Sequence, residues 1–234
     1  PQCGEAQGQL GRLYESGDPQ RFREWNAHLP ASAEFHPEVW VARGFWARQQ
    51  GELPGAIRCL WEAVRRDPNH RAAHFQLGQV LMASDRAQEA EVFLLRAQRL
   101  QALAALVENI LQNPTDVTRM RRAAELTEEL GRPVEAWAWA VSAQQVDRTN
   151  RWARDTQSRL QPRVLAATTQ VSEDGWLSRK YDFSDLPLPD FSRSITPRSE
   201  ENTLSSTVST IVFDDEAQSS GLNFVYHSRG PGES

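Results

Sequence analysis

The sequence contains little of the chemistry on which disulfide-rich proteins and many metalloproteins depend. Two of its 234 residues are cysteines, Cys3 and Cys59, and this number excludes a disulfide framework and a cysteine metal set. Cys59 falls in a helical apolar pattern, which predicts a buried free thiol. We predict no cofactor and no bound metal for this chain.

Long apolar runs are also absent. No stretch of about 18 apolar residues occurs, so the sequence predicts no membrane span. The chain begins with Pro1 and not with methionine, and we expect a preceding piece, such as a signal or an anchor, to have been cut away. The lack of such a segment in this sequence is therefore no indication of a cytoplasmic protein.

An excess of one charge is missing from the first two thirds of the chain. Residues 1–160 hold 20 basic and 20 acidic residues, whereas residues 161–234 hold 6 basic and 11 acidic ones. No block of like charge is long enough to form a nucleic-acid-binding arm. The sequence therefore predicts no nucleic-acid partner.

Signatures of catalysis are scarce too. The five histidines follow no H-E-x-x-H pattern, no glycine-rich phosphate loop occurs, and neither cysteine has a histidine partner. His70 and His74 are four residues apart and suit a metal pair in principle, but no third ligand lies near them in sequence. The acidic cluster 214–216 lacks the glycine and the spacing of a calcium loop, and it favours a turn or a solvated strand edge. We predict that the chain is not an enzyme.

What the sequence does contain is an internal repeat of 34 residues. Residues 37–70 align with residues 71–104. A third copy, 117–150, follows an insertion at 105–116 that either extends a helix or adds one. The aligned residues of the first two copies are Gly44 and Gly78, Ala56 and Ala90, Leu60 and Leu94, and Ala63 and Ala97. At the same four positions the third copy has Ala124, Ala136, Ala140 and Ala143.

The repeated residue types predict pairs of packed helices. Gly44 and its equivalents allow the two helices of a pair to approach closely. Ala56, Leu60 and Ala63 fall on one face of the second helix because they are four and three residues apart. A glycine between the paired helices, such as Gly51 or Gly131, suits the left-handed backbone of a helix C-terminus.

These residues resemble the tetratricopeptide repeat. The resemblance rests on the 34-residue period, on the spacing from Trp40 to Gly44 in the first helix, and on the D-P-N sequence at 67–69. It implies an all-α, right-handed helical solenoid; a generic helical bundle with a chance match is the alternative. Residues 1–36 are interpreted as a degenerate first hairpin, and 151–160 as a capping helix that covers the last repeat.

From residue 161 onward the repeat ends. Residues 161–209 are rich in proline, serine and acidic residues, which predicts a linker with extended backbone. Its apolar residues favour a further interpretation, in which some of them anchor the tail on the solenoid or on a neighbouring domain. The alternative is a disordered linker. The anchor candidates are Trp176, Tyr181, Phe183, Leu188 and Phe191.

The last stretch, 210–234, contains two short strand-like runs, "IVF" and "LNFVYH". It resembles the start of the propeller in large extracytoplasmic proteins that carry FG-GAP repeats and an ASPIC/UnbV module. The resemblance implies that the chain is the N-terminal part of a larger periplasmic or cell-envelope protein, and that the propeller is missing from it. The residues that carry the resemblance are Phe213, 214–217, Gly221, Leu222, 224–227 and Gly230.

The tetratricopeptide resemblance also implies where a partner binds, because the first helices of such repeats line the concave side of the solenoid. We predict a groove for a protein or peptide there, with apolar groups rimmed by charges. The alternative is that its large apolar residues are ordinary core between repeats. The groove candidates are Val41, Phe45, Arg48, Phe75, Gln79, Met82, Arg121, Glu125 and Glu128.

These features predict a non-catalytic protein-interaction scaffold, whose partner is another protein or the chain's own missing propeller. A second hypothesis makes the chain the accessory or substrate-recruiting domain of an enzyme whose catalytic part lies outside it. In a third, the apolar tail occupies the chain's own groove and blocks partners.

Overall fold

The computed structural model describes residues 4–15, 19–167 and 176–191. These residues form ten α-helices and one 3₁₀ helix and contain no strand, which confirms the predicted all-α fold. In chain order the elements are α1 (Gly4–Glu15), α2 (Pro19–Ala27), the 3₁₀ helix η1 (Ala31–Phe35), α3 (Pro37–Gln49), α4 (Leu53–Arg66), α5 (Arg71–Ala83), α6 (Ala87–Gln112), α7 (Val117–Glu129), α8 (Pro133–Val146), α9 (Arg151–Ala167) and α10 (Leu177–Lys180).

Three helix pairs, α3 with α4, α5 with α6 and α7 with α8, correspond to the three copies of the repeat. Each pair packs internally and against the next pair, so the pairs stack into a solenoid. At the turn inside each pair one residue has a left-handed backbone: Gly51 with φ 74°, Asp85 with φ 58° and Gly131 with φ 75°. The two glycines confirm the sequence prediction, and aspartate is one of the few other residues that adopt this conformation readily.

Most of the repeat helices begin in one of two ways. Either a proline, which has no backbone N–H, stands in the first turn, or a side chain accepts a hydrogen bond from one of the first N–H groups. Proline occupies the first turn of α3, α4 and α8, where its missing N–H has no helical partner to lose. At the start of α5, Nδ1 of His70 accepts a hydrogen bond from the N–H of Ala73. At the start of α7, the carboxylate of Asp116 accepts one from the N–H of Arg119 at 2.9 Å. A proline or a side-chain cap thus marks the start of five of the six repeat helices, and α6 begins with neither.

Close packing within a pair depends on the small residue at the centre of its first helix. A Cβ atom placed on Gly44 would lie 2.5 Å from Cγ of Leu60, and one placed on Gly78 would lie 2.6 Å from Cγ of Leu94. In the third pair Ala124 takes the place of the glycine, and an alanine also replaces the leucine. The third pair therefore has two alanines where the first two pairs each have a glycine and a leucine.

An aromatic N–H group joins each of the first two repeats to the segment that precedes it. Nε1 of Trp40 donates to the carbonyl of Glu34 at 2.8 Å, and Nε2 of His74 donates to the carbonyl of Pro68 at 2.9 Å. The two donors occupy equivalent positions of the repeat. His74 is fully buried, and this burial lowers its pKa to about 3, so that the ring is neutral.

The N-terminal hairpin, formed by α1 and α2, packs with η1 against the first repeat. The guanidinium of Arg43 on α3 donates two hydrogen bonds of 2.7 Å to the carboxylate of Glu34 and one of 2.8 Å to Oδ1 of Asn26. Arg43 is buried, and this bidentate pairing offsets the cost of removing its charge from water. The pairing joins the residues before the first repeat to the repeat itself.

Two helices are longer than the repeat requires. α6 continues without a break into the insertion at 105–116, which extends this helix and does not add another. α9 packs on α8, where the capping helix was expected, and continues to Ala167. The linker predicted for 161–209 therefore begins later than the sequence indicates.

The hydrophobic core of the described residues has two sections. One contains the N-terminal hairpin and the first two repeats, together with Phe183 from the tail. The other surrounds the third pair and the extended end of α6, with Leu100, Met120 and Ala153 among its members. The tail residues 176–191 thus contribute to the core of the first two repeats.

The predicted strand-like runs of 210–234 lie outside the described residues, as does all of the chain after residue 191. Within the described ranges, no helix combines the length and the apolar character needed to cross a membrane.

Candidate functional site

The nine groove candidates occupy equivalent positions on α3, α5 and α7, and we call the surface that they share the first-helix face. On α3, Val41 is 4% exposed and belongs to the core, Phe45 is half-buried and Arg48 is exposed. The Arg48 guanidinium reaches the next repeat, where Nη1 donates to Oε1 of Gln79 at 2.9 Å and to Oε1 of Gln76 at 3.1 Å. Of the three candidates on α3, Arg48 is thus the exposed one.

The apolar part of the first-helix face lies on α5. Phe75 is 42% exposed and Met82 is 51% exposed, with the half-buried Gln79 between them. Large apolar side chains grouped in this way are common in protein-binding surfaces. Met82 also borders a cleft of about 500 Å³ next to α6, which is further lined by Ala87, Glu91, Leu94, Leu95 and Gln98.

On α7 the candidates are charged and paired within the molecule. Nε of Arg121 donates to Oε1 of Glu125 at 3.1 Å, and the Arg121 guanidinium lies 5.7 Å from the centre of the Trp152 ring. Nη2 of Arg159 on α9 donates to Oε2 of Glu128 at 2.9 Å, and this hydrogen bond lowers the pKa of Glu128. The first-helix face therefore presents the Arg48 cation on α3, exposed apolar side chains on α5 and paired charges on α7.

Residues 176–191, which we call the strap, lie against other parts of the solenoid. Phe183 is 2% exposed; its ring lies 6.2 Å from that of Phe93 on α6, and the Arg86 guanidinium lies 4.6 Å from its centre. The Tyr181 ring lies 5.6 Å from the same Phe93 ring. Two aromatic side chains of the strap thus share one aromatic receptor on the second helix of the second repeat.

The end of the strap reaches the N-terminal hairpin. The Phe191 ring lies 5.6 Å from that of Trp46 and 6.4 Å from that of Phe22. Pro189 packs so closely on Gly55 of α4 that a Cβ atom on this glycine would lie 2.7 Å from Cγ of the proline. The strap therefore crosses from the second repeat back to the beginning of the chain.

Two side chains of α4 hold the backbone of the strap. Nε1 of Trp61 donates to the carbonyl of Tyr181 at 2.8 Å, and Nη1 of Arg58 donates to the carbonyl of Ser184. Hydrogen bonds to carbonyl groups recognise an extended backbone whatever its side chains are. We call the residues that receive the strap the strap-binding surface: Phe22, Trp46, Gly55, Arg58, Trp61, Arg86 and Phe93.

The five anchor candidates of the tail have different surroundings. Tyr181, Phe183 and Phe191 pack on the strap-binding surface as described. Trp176 is half-buried and lines a cleft beside the end of α7. Leu188 is 48% exposed, although it lies next to the buried Pro189. Among the five candidates, Phe183 is thus the one that is fully buried, while Trp176, Tyr181 and Phe191 are half-buried.

The histidine and cysteine side chains considered in the sequence for metal binding or reactivity are paired with other residues or buried. Nε2 of His70 lies 3.0 Å from Oε1 of Glu38, and this contact lowers the pKa of Glu38. Burial raises the pKa of the Cys59 thiol to about 12, which keeps it protonated and unreactive. Among the described residues, no group of three His, Cys, Asp or Glu side chains is placed to hold a metal ion.

The sequence predicts anchors in the tail, but it does not predict the surface that receives them. Trp61 and Phe93 stand at positions where any second helix carries an apolar residue, and so they resemble ordinary core. Gly55 was the available signal, because the equivalent residues of the other two copies are Glu89 and Glu135. A glycine at one of three equivalent helix positions indicates that another segment approaches there.

The comparisons with known families agree with this architecture. Residues 37–80 match the family model of the tetratricopeptide repeat. The match covers α3, α4 and most of α5, which is the first repeat and the beginning of the second. No curated protein matches the chain. The described part is an all-α solenoid of the tetratricopeptide type, a class of repeat that generally mediates interactions between proteins.

Proposed function

We propose that the chain is a non-catalytic scaffold that binds a protein or peptide partner on its first-helix face. The observation that carries the proposal is the exposure of Phe75 and Met82 on α5. The Arg48 guanidinium on one side, and the charged residues of α7 on the other, rim this apolar centre. A partner that presents apolar side chains from an extended or helical segment would complement the surface.

The strap leaves this proposed site open. Its contacts on α3 are made to Trp46 and to Arg43, whose guanidinium lies 5.4 Å from the centre of the Phe191 ring. Helical periodicity places both residues on the side of α3 opposite to Phe45 and Arg48. Residues 176–191 therefore do not support the hypothesis that the tail fills the proposed groove.

A comparison of purified variants tests the proposal. The wild-type chain is cross-linked to its partners in the source cells, and the affinity of each recovered partner is then measured with the purified wild type and with the double variant Phe75→Ala/Met82→Ala. We expect affinity to fall at least about tenfold, because the central contacts of an interface carry most of its binding energy.

The matched control is Leu111→Ala, a substitution of a 77% exposed residue at the extended end of α6. It removes a similar exposed apolar side chain and is expected to leave binding unchanged. Equal affinity of the control and the double variant would place the binding site elsewhere.

We further propose that the chain is the N-terminal part of a larger extracytoplasmic protein, and that the solenoid presents or docks a propeller domain. The resemblance of residues 210–234 to the start of such propellers supports this proposal. Reading the gene beyond Ser234, together with fractionation of the source cells, tests it. A catalytic domain in place of a propeller would favour instead an accessory, substrate-recruiting role for the solenoid.

A further inference from the structure

We propose that the strap-binding surface is a recognition site for extended peptides that alternate aromatic and acidic residues, and that the chain's own strap blocks this site. This surface differs from the first-helix face, so the proposal does not depend on the function proposed for that face. The resting occupant is residues 176–191, and a segment with the same pattern from elsewhere is the competitor.

The strap resembles a bound peptide in the way it contacts the solenoid. Apart from the single helical turn α10, its described backbone forms no regular structure. Its recognised features are two carbonyl groups, which accept from Trp61 and Arg58, and the aromatic rings that insert beside Phe93 and Trp46. Such features can be offered equally by a segment that is not covalently joined to the solenoid.

Charge adds to the pattern that the surface selects. The strap sequence 181–191, "YDFSDLPLPDF", carries an acidic residue beside each of its aromatic residues. Asp182 accepts a hydrogen bond from the N–H of Ser184; this contact lowers the pKa of Asp182, and the charges of Arg58 and Arg65 lower it further. Arg58 donates to the carbonyl of Ser184 and the Arg86 guanidinium lies over the Phe183 ring, so positive charge is placed beside the acidic residues while the aromatic rings provide burial.

The surface needs an occupant. Without the strap, the rings of Trp46, Trp61 and Phe93 would lose a contact that now covers them, as would Phe22 beside them. Four large aromatic side chains would then each lose one of their contacts, and apolar side chains that lose their cover bind other proteins or aggregate. The strap therefore either stays in place permanently or exchanges with a segment that covers the same rings.

Tethering explains how one surface can be both occupied and available. The strap is joined to α9 by residues 168–175, so its local concentration at the surface is on the order of millimolar. A separate peptide with the same contacts is outcompeted by the tethered one. It binds when the strap is weakened, for example by modification of its residues or by a partner that captures them.

The decisive experiment uses a fluorescent synthetic peptide with the sequence of residues 176–191 and the full chain in two forms, wild type and Phe183→Ser. Binding is measured by fluorescence anisotropy. We expect the peptide to bind Phe183→Ser at least about tenfold more tightly than wild type, because the weakened strap no longer competes. A peptide that itself carries Phe183→Ser serves as the control and is expected to bind neither form.

A second opening variant, Asp182→Lys/Asp185→Lys, protects the test against misfolding of Phe183→Ser. It leaves every aromatic ring in place, reverses two exposed charges of the strap and removes the acceptor of the Ser184 N–H. Adding Trp61→Phe to either opened chain should weaken the peptide by several-fold, since it removes the N–H donor to the carbonyl of residue 181.

The outcomes separate the two roles of the strap. Tight binding to the opened chains, sensitive to Trp61→Phe, supports a blocked recognition site. Equal binding to wild type and opened chains would mean that the peptide binds elsewhere, and binding to none of them would mean that the strap is a permanent part of the fold. Either of the last two results overturns the proposal.

Discussion

The first-helix face and the strap-binding surface are built largely from the same repeats, but one is exposed and the other is covered. On the first-helix face, Phe75 and Met82 remain exposed, whereas on the strap-binding surface comparable aromatic residues are covered by residues 176–191. The repeat sets the helix spacing on both sides. Which side is open depends on a segment outside the repeat, and the availability of a repeat surface therefore cannot be judged from the repeat alone.

The largest effect is expected where the strap is anchored most deeply. Phe183→Ala should lower the free energy of unfolding by about 4 kcal/mol, because it empties a buried aromatic site between Phe93 and the Arg86 guanidinium. Urea unfolding followed by circular dichroism measures this change. It tests whether the covered side of the solenoid owes stability to the strap.

Leu188→Ala is the matched control, because it removes an exposed apolar side chain from the same strap. Its effect should stay below about 0.5 kcal/mol. Equal losses for Phe183→Ala and Leu188→Ala would contradict the view that the aromatic residues anchor the strap.

The contrast between the two sides also shows what the sequence could and could not predict. The helix pairs follow from residues at fixed spacing, because Gly44 and Leu60 recur as Gly78 and Leu94. The path of the strap does not follow in this way, because each of the ring contacts and backbone hydrogen bonds described between the strap and the strap-binding surface joins residues more than eighty positions apart and occurs once. Periodicity reveals contacts that repeat, whereas contacts made a single time leave at most one irregular residue such as Gly55.

Gly78→Ala should disturb the spacing of the helices that carry both surfaces. The new Cβ atom would meet Cγ of Leu94 at 2.6 Å and the carbonyl oxygen of Ala90 at 3.2 Å, so we expect the free energy of unfolding to fall by about 2–3 kcal/mol. Combining it with Leu94→Ala recreates the pair of alanines found in the third repeat. If the clash is the cause, the double variant loses less stability than the sum of the two single losses. A loss equal to that sum would mean that the clash is not the cause.

Acid should lower the free energy of unfolding through His74, which is buried inside the second repeat. His74 has a pKa of about 3 in the folded chain, against an ordinary value of 6.5, so below pH 6.5 the unfolded chain binds a proton that the folded chain does not. The free energy of unfolding is therefore highest above this value, and His74 should account for a loss of about 2 kcal/mol at pH 5.

His74→Met isolates this contribution. Methionine is the residue at the equivalent position of the third repeat, Met120, and the carbonyl of Pro68 still accepts a hydrogen bond from Nε of Arg96. Urea unfolding at pH 5 and at a pH above 6.5 should show that the free energy of unfolding falls less in the variant than in wild type. An unchanged loss would assign the pH dependence to other groups, such as the contact between His70 and Glu38.

The smallest effect on stability is expected on the open side. Phe75→Ala removes the same atoms as Phe183→Ala, but Phe75 is 42% exposed, so water already surrounds much of its ring. The free energy of unfolding should fall by less than about 1 kcal/mol, since the apolar area returned to water is small. Urea unfolding of the two phenylalanine variants side by side then compares the open and covered surfaces with one residue type. A loss at Phe75 as large as that at Phe183 would mean that Phe75 serves the core of the repeats and is unavailable to a partner.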